Sequence, residues 1–408
     1  MPGFTTTILH SDRQNIIEHG SVHKPIHSSV TYGHDARDLI DVFQGKKDGY
    51  RYARQGNPTV SALEDKLTKM EQGVASVCFS SGMAAIGALP QALLKAGDHV
   101  VCSIFLFGNT NNLWHTVTNL GINATFVDAT DVYNVEAALT PTTRMVFVET
   151  IANPRTQIAD LEKIGKLCQA LGILLVVDST LTSPYLFHPK SIGAGLIVHS
   201  LTKAIAGHAD VVGGCIIDTG QFDWSRYPNI VEQIKKQPVA QWGMSQIRAK
   251  SLRDFGACLS AESAHQIAIG AETMALRIER QCHNATQLTA MLMGDPKVAA
   301  VYYPGLENHP QHALASQLFS AYGSMFSFEL KTGIDPVQFL NCLNIAISAT
   351  HLGDNRTLII PVAQTIFFEV GPLRRAEMQI SDSLIRVSVG IEDSVDLLSD
   401  FKQALEQI

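Results

Sequence analysis

At 408 residues the chain exceeds the length at which one hydrophobic core keeps growing, so a large domain with at least one smaller companion is expected. Its 46% hydrophobic and 17% charged residues are those of a compact folded protein and exclude disordered, collagen-like or coiled-coil character. A formal net charge of -7 without any Lys/Arg-rich block argues against nucleic-acid and anionic-membrane partners.

The opening MPGFTTTILHSDRQ lacks a basic segment followed by an apolar run, and no stretch of about 18 apolar residues occurs, so neither an export signal nor a membrane span is read. Residues 1–56 read as an irregular N-terminal arm that contacts a neighbouring subunit; it runs into YRYARQGNPT (50–59) and turns at Asn57-Pro58. Beyond it the short apolar runs VASVCF, DHVVC, NATFVD, TRMVFVE, GILLVVD, GLIVHS and VVGGCIID alternate with helical patterns, which predicts a mostly parallel α/β sheet. Several runs are apolar throughout, as strands covered on both faces are, and polar residues gather just past their ends, where open α/β sheets bind ligands. A loop is expected between Thr219 and Lys250, then long helices, then a smaller α+β domain marked by SMFSFEL and SLIRVSVGI. We place the boundary near residue 275, giving domains 57–275 and 276–408. The seven cysteines are odd in number, scattered and never spaced CxxC, which argues against a disulfide framework and a zinc knuckle and points to a reducing cytoplasm.

Chemistry concentrates in VVDST (176–180) and HSLTKAIAGHADVVGG (199–214). Asp178 closes an apolar run, so its carboxylate emerges at the end of a buried strand, where it could pair with the ring nitrogen of pyridoxal 5'-phosphate (PLP) and keep that ring an electron sink. Lys203 follows another strand with the hydroxyls of Ser200 and Thr202 beside it, suited to holding a phosphate while the amine binds an aldehyde. Alone, Lys203 would be a solvated surface lysine and Asp178 a turn cap; the pair carries the reading. In CFSSGMAAIGALPQALL (78–94) a strand gives way at Ser80-Ser81-Gly82 to a helix, an anion cradle that by itself is equally an ordinary helix cap. The absence of GxGxxG and GxxxxGK[ST] argues against dinucleotides and nucleoside triphosphates, and no HExxH or carboxylate cluster suggests a metal.

Together these motifs closely resemble the cystathionine gamma-synthase family, the Cys/Met metabolism PLP enzymes, across nearly the whole chain as far as SLIRVSVGIED (383–393). The resemblance implies the aspartate aminotransferase-like architecture (PLP fold type I), a mostly parallel sheet with helices on both faces plus a smaller C-terminal α+β domain. It implies that Lys203 carries the cofactor, that Ser200 and Thr202 with the turn Ser81-Gly82-Met83 hold its phosphate, and that Tyr52 and Arg54 reach the phosphate of an adjacent subunit in a homodimer or homotetramer. Arg386 in LIRVSVG matches the arginine that clamps the substrate carboxylate, and Asn153 in ETIANP the asparagine that helps fix it.

Departures from the family bear on specificity. Where many members have Tyr-Gly this chain has Phe107-Gly108, which keeps a ring to stack on the cofactor but loses a phenolic acid/base, as in O-succinylhomoserine sulfhydrylases. Asn109 stands where methionine gamma-lyases place a cysteine, while FDW (222–224), RDFGACLS and HPQHALASQLF (309–319) look like O-acetylhomoserine sulfhydrylases. His351-Leu352-Gly353-Asp354 and IPVAQTIFF (360–368) rewrite a pocket wall, and His351 there either binds substrate, relays a proton or is structural. The expected function is gamma-replacement on an O-acylhomoserine by sulfide or a thiol. The alternatives are a cystathionine or methionine gamma-lyase and, in another class, a PLP-binding regulatory protein without turnover.

Overall fold

In the computed structural model, which describes residues 2–13 and 17–408, the seven apolar runs become the seven strands of one sheet; positions 1 and 14–16 of the expected arm lie outside the described residues. In chain order they are β1 (Ala75–Phe79), β2 (His99–Ser103), β3 (Asn123–Val127), β4 (Thr143–Glu149), β5 (Leu174–Asp178), β6 (Leu196–Ser200) and β7 (Gly214–Asp218), and they lie side by side as β1-β7-β6-β5-β4-β2-β3. The run β3-β2-β4-β5-β6 is parallel, and β7 is antiparallel to both β6 and β1. Continuous apolar strands follow from burial on both faces: Met145 and Phe147 of β4 pack in the core under helix Gly82–Leu93, and Val146 and Val148 in the core under helix Leu161–Leu171.

A second sheet contains β8 (Val298–Tyr302), β9 (Met325–Leu330), β10 (Ile347–Ser348), β11 (Leu358–Pro361) and β12 (Leu384–Ser388), in the order β10-β11-β12-β9-β8. Phe326 and Phe328 of β9 with Ile385 and Val387 of β12 face helix Ser394–Glu406 through Leu397 and Phe401. Alternation along a strand therefore turns Arg386 to the opposite face, away from this apolar core. Helix Met274–Met293 couples the two sheets, since Met274, Ile278 and Cys282 belong to a core of the large sheet and Ala285, Leu288 and Leu292 to that of the small one. Near the N-terminus Ile8 anchors helix Phe4–Leu9 in the core, whereas helix Ala36–Phe43, capped by the Asp35 carboxylate, leaves Ile40 and Phe43 exposed. Among the described residues no helix is long and apolar enough to cross a membrane.

Candidate active site

The carboxyl ends of β4, β5 and β6 open on one cavity of about 510 Å³, closed on the far side by residues 350–352, Ile366 and Arg386. In-register pairing sets Glu149 beside Asp178, and Asp178 beside Val198, so three parallel strands deliver their terminal polar groups to the same rim. Lys203, three residues past the end of β6, lines the cavity.

After β1 the chain turns at Ser80-Ser81 into helix Gly82–Leu93, whose N-cap Ser81 accepts a hydrogen bond from the Ala84 amide. The amides of Gly82 and Met83 belong to the first turn and have no intrahelical carbonyl to bond. This turn sits tightly against β6 and β7: a Cβ on Gly82 would fall 2.8 Å from Ser200 Cβ, and one on Gly214 2.2 Å from the Ser81 carbonyl oxygen. Ser81, Gly82, Met83, Ser200 and Thr202 all line the cavity. Their hydroxyls differ, because that of Thr202 donates to the Gly213 carbonyl (3.1 Å) and accepts from the Gly213 amide (3.0 Å), while that of Ser200 makes no hydrogen bond among the described residues. Thr202 would have to release Gly213 to donate to a phosphate.

The Asp178 Oδ1 atom accepts from the Thr180 amide (3.0 Å) and the Thr180 hydroxyl (2.5 Å), and that hydroxyl in turn accepts from the Ser200 amide (2.9 Å). Burial raises Asp178, and burial together with the Asp178 charge raises Glu149 well above the usual carboxylate range. Two adjacent buried carboxyls cannot both ionise. The Thr180 donors oppose the rise at Asp178, whereas at Glu149 burial and the Asp178 charge both favour the neutral form. Glu149 accepts from the Phe107 amide (2.7 Å) and so fixes where the aromatic ring starts.

Lys203 lies with its amine 3.2 Å from His351 Nδ1, and burial, followed by repulsion from Arg386, lowers it to about 8. Arg386 is 1% exposed, with its terminal nitrogens donating to the Thr350 and His351 carbonyls (2.9 and 3.0 Å) and to Asn153 Oδ1 (3.4 Å). Its Nε has no partner and no carboxylate lies within ion-pair distance of it among the described residues. A buried guanidinium without a counter-ion is costly. Its position on the cavity suits it to pair with an incoming carboxylate.

Eleven of the sequence-expected site residues meet in this cavity: Ser81, Gly82, Met83, Phe107, Asn153, Asp178, Ser200, Thr202, Lys203, His351 and Arg386. Tyr52 and Arg54 do not line it. Tyr52 is exposed under the Arg54 guanidinium, 5.4 Å from the ring centroid, and Arg54 donates to the Arg253 carbonyl. Glu149 and Thr180 were not expected, although Glu149 ends TRMVFVE as Asp178 ends GILLVVD. Of IPVAQTIFF only Ile366 reaches the cavity; Val362, Ala363 and Phe367 are buried in a separate small core. Gly353 carries φ +73°, and a Cβ there would lie 2.6 Å from the Ala204 amide nitrogen. Gly353→Ala is therefore expected to cost roughly 1–3 kcal/mol in denaturant unfolding, and an unchanged midpoint would mean this turn does not brace Lys203.

These groups suit PLP. Lys203 offers an amine for the aldehyde, Asp178 a carboxyl with one oxygen outside the Thr180 bonds, Phe107 an aromatic face, and the Ser81–Met83 turn with Ser200 free donors for a phosphate. Comparison with known proteins agrees. Residues 5–406 match the family described as Cys/Met metabolism PLP-dependent enzyme. The chain is 38% identical over 411 residues to an L-methionine gamma-lyase of Fusobacterium nucleatum, covering 100% of this chain and 98% of that protein. It is 34% identical to the homocysteine synthase of Schizosaccharomyces pombe, covering 99% and 98%. A solved structure from Campylobacter jejuni, described as a putative O-acetylhomoserine (thiol)-lyase with N'-pyridoxyl-lysine-5'-monophosphate, superposes with a TM-score of 0.91 at 29% identity, covering 99% of this chain and 100% of that one.

Proposed function

The chain belongs to the Cys/Met metabolism family of PLP-dependent enzymes, and from that premise we infer that it performs gamma-replacement on an O-acylated homoserine, with sulfide or a thiol as the incoming nucleophile. When bound, PLP supplies an electron-withdrawing ring that acidifies the substrate Cα–H. Lys203 would hold the aldehyde, Asp178 the ring nitrogen, and Ser200 with the Gly82 and Met83 amides the phosphate. Arg386 and Asn153 fix the substrate carboxylate, and the freed Lys203 amine takes the Cα proton. Phe107, which lines the cavity, would offer its aromatic face to the ring.

The observation that carries this reading is the lack of a phenol at position 107. Position 107 is phenylalanine, and among the described residues no tyrosine of the same chain lines the cavity. A carboxylate leaving group, with a conjugate acid near pKa ~4, departs without being protonated; a thiolate, nearer ~8.5, gains far more from a general acid. The site is thus better equipped to expel an acyloxy group than to cleave a thioether. The L-methionine gamma-lyase among the relatives favours a second reading, elimination from a thioether to a keto acid and ammonia.

Separate incubation of the holoenzyme with O-acetylhomoserine, O-succinylhomoserine, cystathionine and methionine, each with and without sulfide, tests the assignment. Homocysteine formed only from an acyl ester plus sulfide is the expected result. Keto acid released from a thioether without sulfide would replace it by the lyase reading. The exposed Ile40 and Phe43 of the arm, and the placement of Tyr52 and Arg54 outside their own cavity, support a neighbouring subunit that receives them.

A further inference from the structure

Lys203 Nζ makes one hydrogen bond among the described residues, to His351 Nδ1 at 3.2 Å. The other ionisable groups on the cavity, Glu149, Asp178 and Arg386, make none with it, and Phe107 offers it no oxygen. The His351 main chain meanwhile holds the carboxylate clamp, since its carbonyl accepts from Arg386 at 3.0 Å. The turn that follows is pressed onto the Lys203 backbone: the Gly353 amide donates to the Ser388 hydroxyl (2.9 Å), and a Cβ on Gly353 would lie 3.1 Å from the Lys203 carbonyl carbon. One residue thus touches both the proposed base and the proposed clamp.

We propose that His351 is a positioning residue for Lys203, accepting a hydrogen bond at Nδ1 from the free amine and holding that amine beside the carboxylate clamp while it carries the substrate proton. This rests on the functional reading above, in which Lys203 alternates between holding the cofactor and acting as a base. His351 must be neutral to accept. The groups facing it are Lys203 and Arg386, both cations, and Asp354, and the ring is lowered to about 4 by burial and then by the Lys203 charge, with Asp354 opposing. The proposal places the ring proton on Nε2, an atom buried without a partner among the described residues, and leaves the Nδ1 lone pair for Lys203. A neutral acceptor fixes an ammonium where a charged imidazole would repel it.

The first test uses cofactor-free protein, in which competitive acylation is read at the Lys203 peptide by mass spectrometry across pH. In the wild type the amine should titrate near 8. His351→Leu, which fills the space without an acceptor, should strengthen Lys203 as an acid by about threefold or more, and His351→Gln, which restores an acceptor, should return it toward the wild type. An unchanged or weaker acidity in the leucine variant overturns the proposal. Should that variant fail to fold, His351→Phe serves as the same comparison against glutamine.

The second test follows exchange of the Cα proton of L-2-aminobutyrate in deuterium oxide by the holoenzyme. The expected result is exchange slowed about tenfold to hundredfold in His351→Leu, with KM little changed and partial recovery in His351→Gln. Full-rate exchange in the leucine variant overturns the proposal. Wild-type enzyme that exchanges no proton would instead sink the functional reading and leave the labelling experiment to decide on His351.

Discussion

Lys203→Met is expected to leave less than about a thousandth of wild-type turnover and, in the cofactor-free protein, to raise stability at pH 7. In the proposed function one amine both holds the cofactor and serves as general base, and base catalysis alone is worth about 10²–10⁴. Stability rises because the folded protein lowers this amine from its ordinary value of 10.5 to about 8, burial being the main cause. Below pH 8 both folded and unfolded states carry the proton, and the full cost of burying an ammonium is present. Between pH 8 and 10.5 the unfolded state binds more protons than the folded one, so stability increases with pH, and above 10.5 the cost is gone. The gap corresponds to roughly 3 kcal/mol at most. Urea unfolding of both proteins at pH 7 and again near pH 9.5 measures it: the methionine variant should lead at pH 7 by an amount that shrinks at the higher pH. A lead independent of pH would mean that packing of the methionine, not removal of a buried charge, is responsible. Retained turnover would remove Lys203 from the site.

How much of this was legible in the sequence depended on burial. Most strands of the large sheet were readable because helices cover both faces, which leaves runs such as Val146–Val148 and Leu174–Val177 without a polar position, whereas the edge strand β3 is half-exposed. In the small sheet β9 and β12 were readable through Phe326, Phe328, Ile385 and Val387. By contrast β8, half-exposed, and β10, two exposed residues, carry little apolar pattern, and β11 runs with its last two residues, Ile360-Pro361, into the stretch read as a pocket wall. In the site, Asp178 and Lys203 stood out because strand end and phosphate-type hydroxyls coincide within a short segment. Glu149 carried the same strand-end signal, but only the in-register pairing with Asp178 makes it part of the site. The contact between His351 and Lys203 spans 148 positions and left no local trace. The stretch IPVAQTIFF shows a related ambiguity: its apolar residues do not disclose that Val362, Ala363 and Phe367 face a core, Ile366 the cavity and Phe368 the exterior.

Arg386→Ala is expected to raise KM for the amino-acid substrate by about a hundredfold to a thousandfold with a much smaller change in kcat. The guanidinium sits on β12 on the face opposite Ile385 and Val387, buried, and burial lowers it to about 10. It has carbonyl and amide oxygens to bond but no carboxylate, so its charge is compensated only when a ligand supplies one. Loss of a buried, charge-assisted pair with the substrate costs about 2–5 kcal/mol. Because the α-carboxylate keeps its charge throughout, that energy is lost from the ground and transition states alike, which moves KM and not kcat. Arg386→Lys keeps the charge without the planar fork and should fall between the two. Stability provides the control. If Arg386 were half of a structural ion pair, its removal would strand a buried carboxylate at about 3–5 kcal/mol. Here removal abandons the Thr350 and His351 carbonyls but also discards an uncompensated buried charge, so the unfolding free energy should change far less than the binding energy. A large loss of stability with KM unmoved would assign Arg386 to the fold and leave the carboxylate clamp unaccounted for.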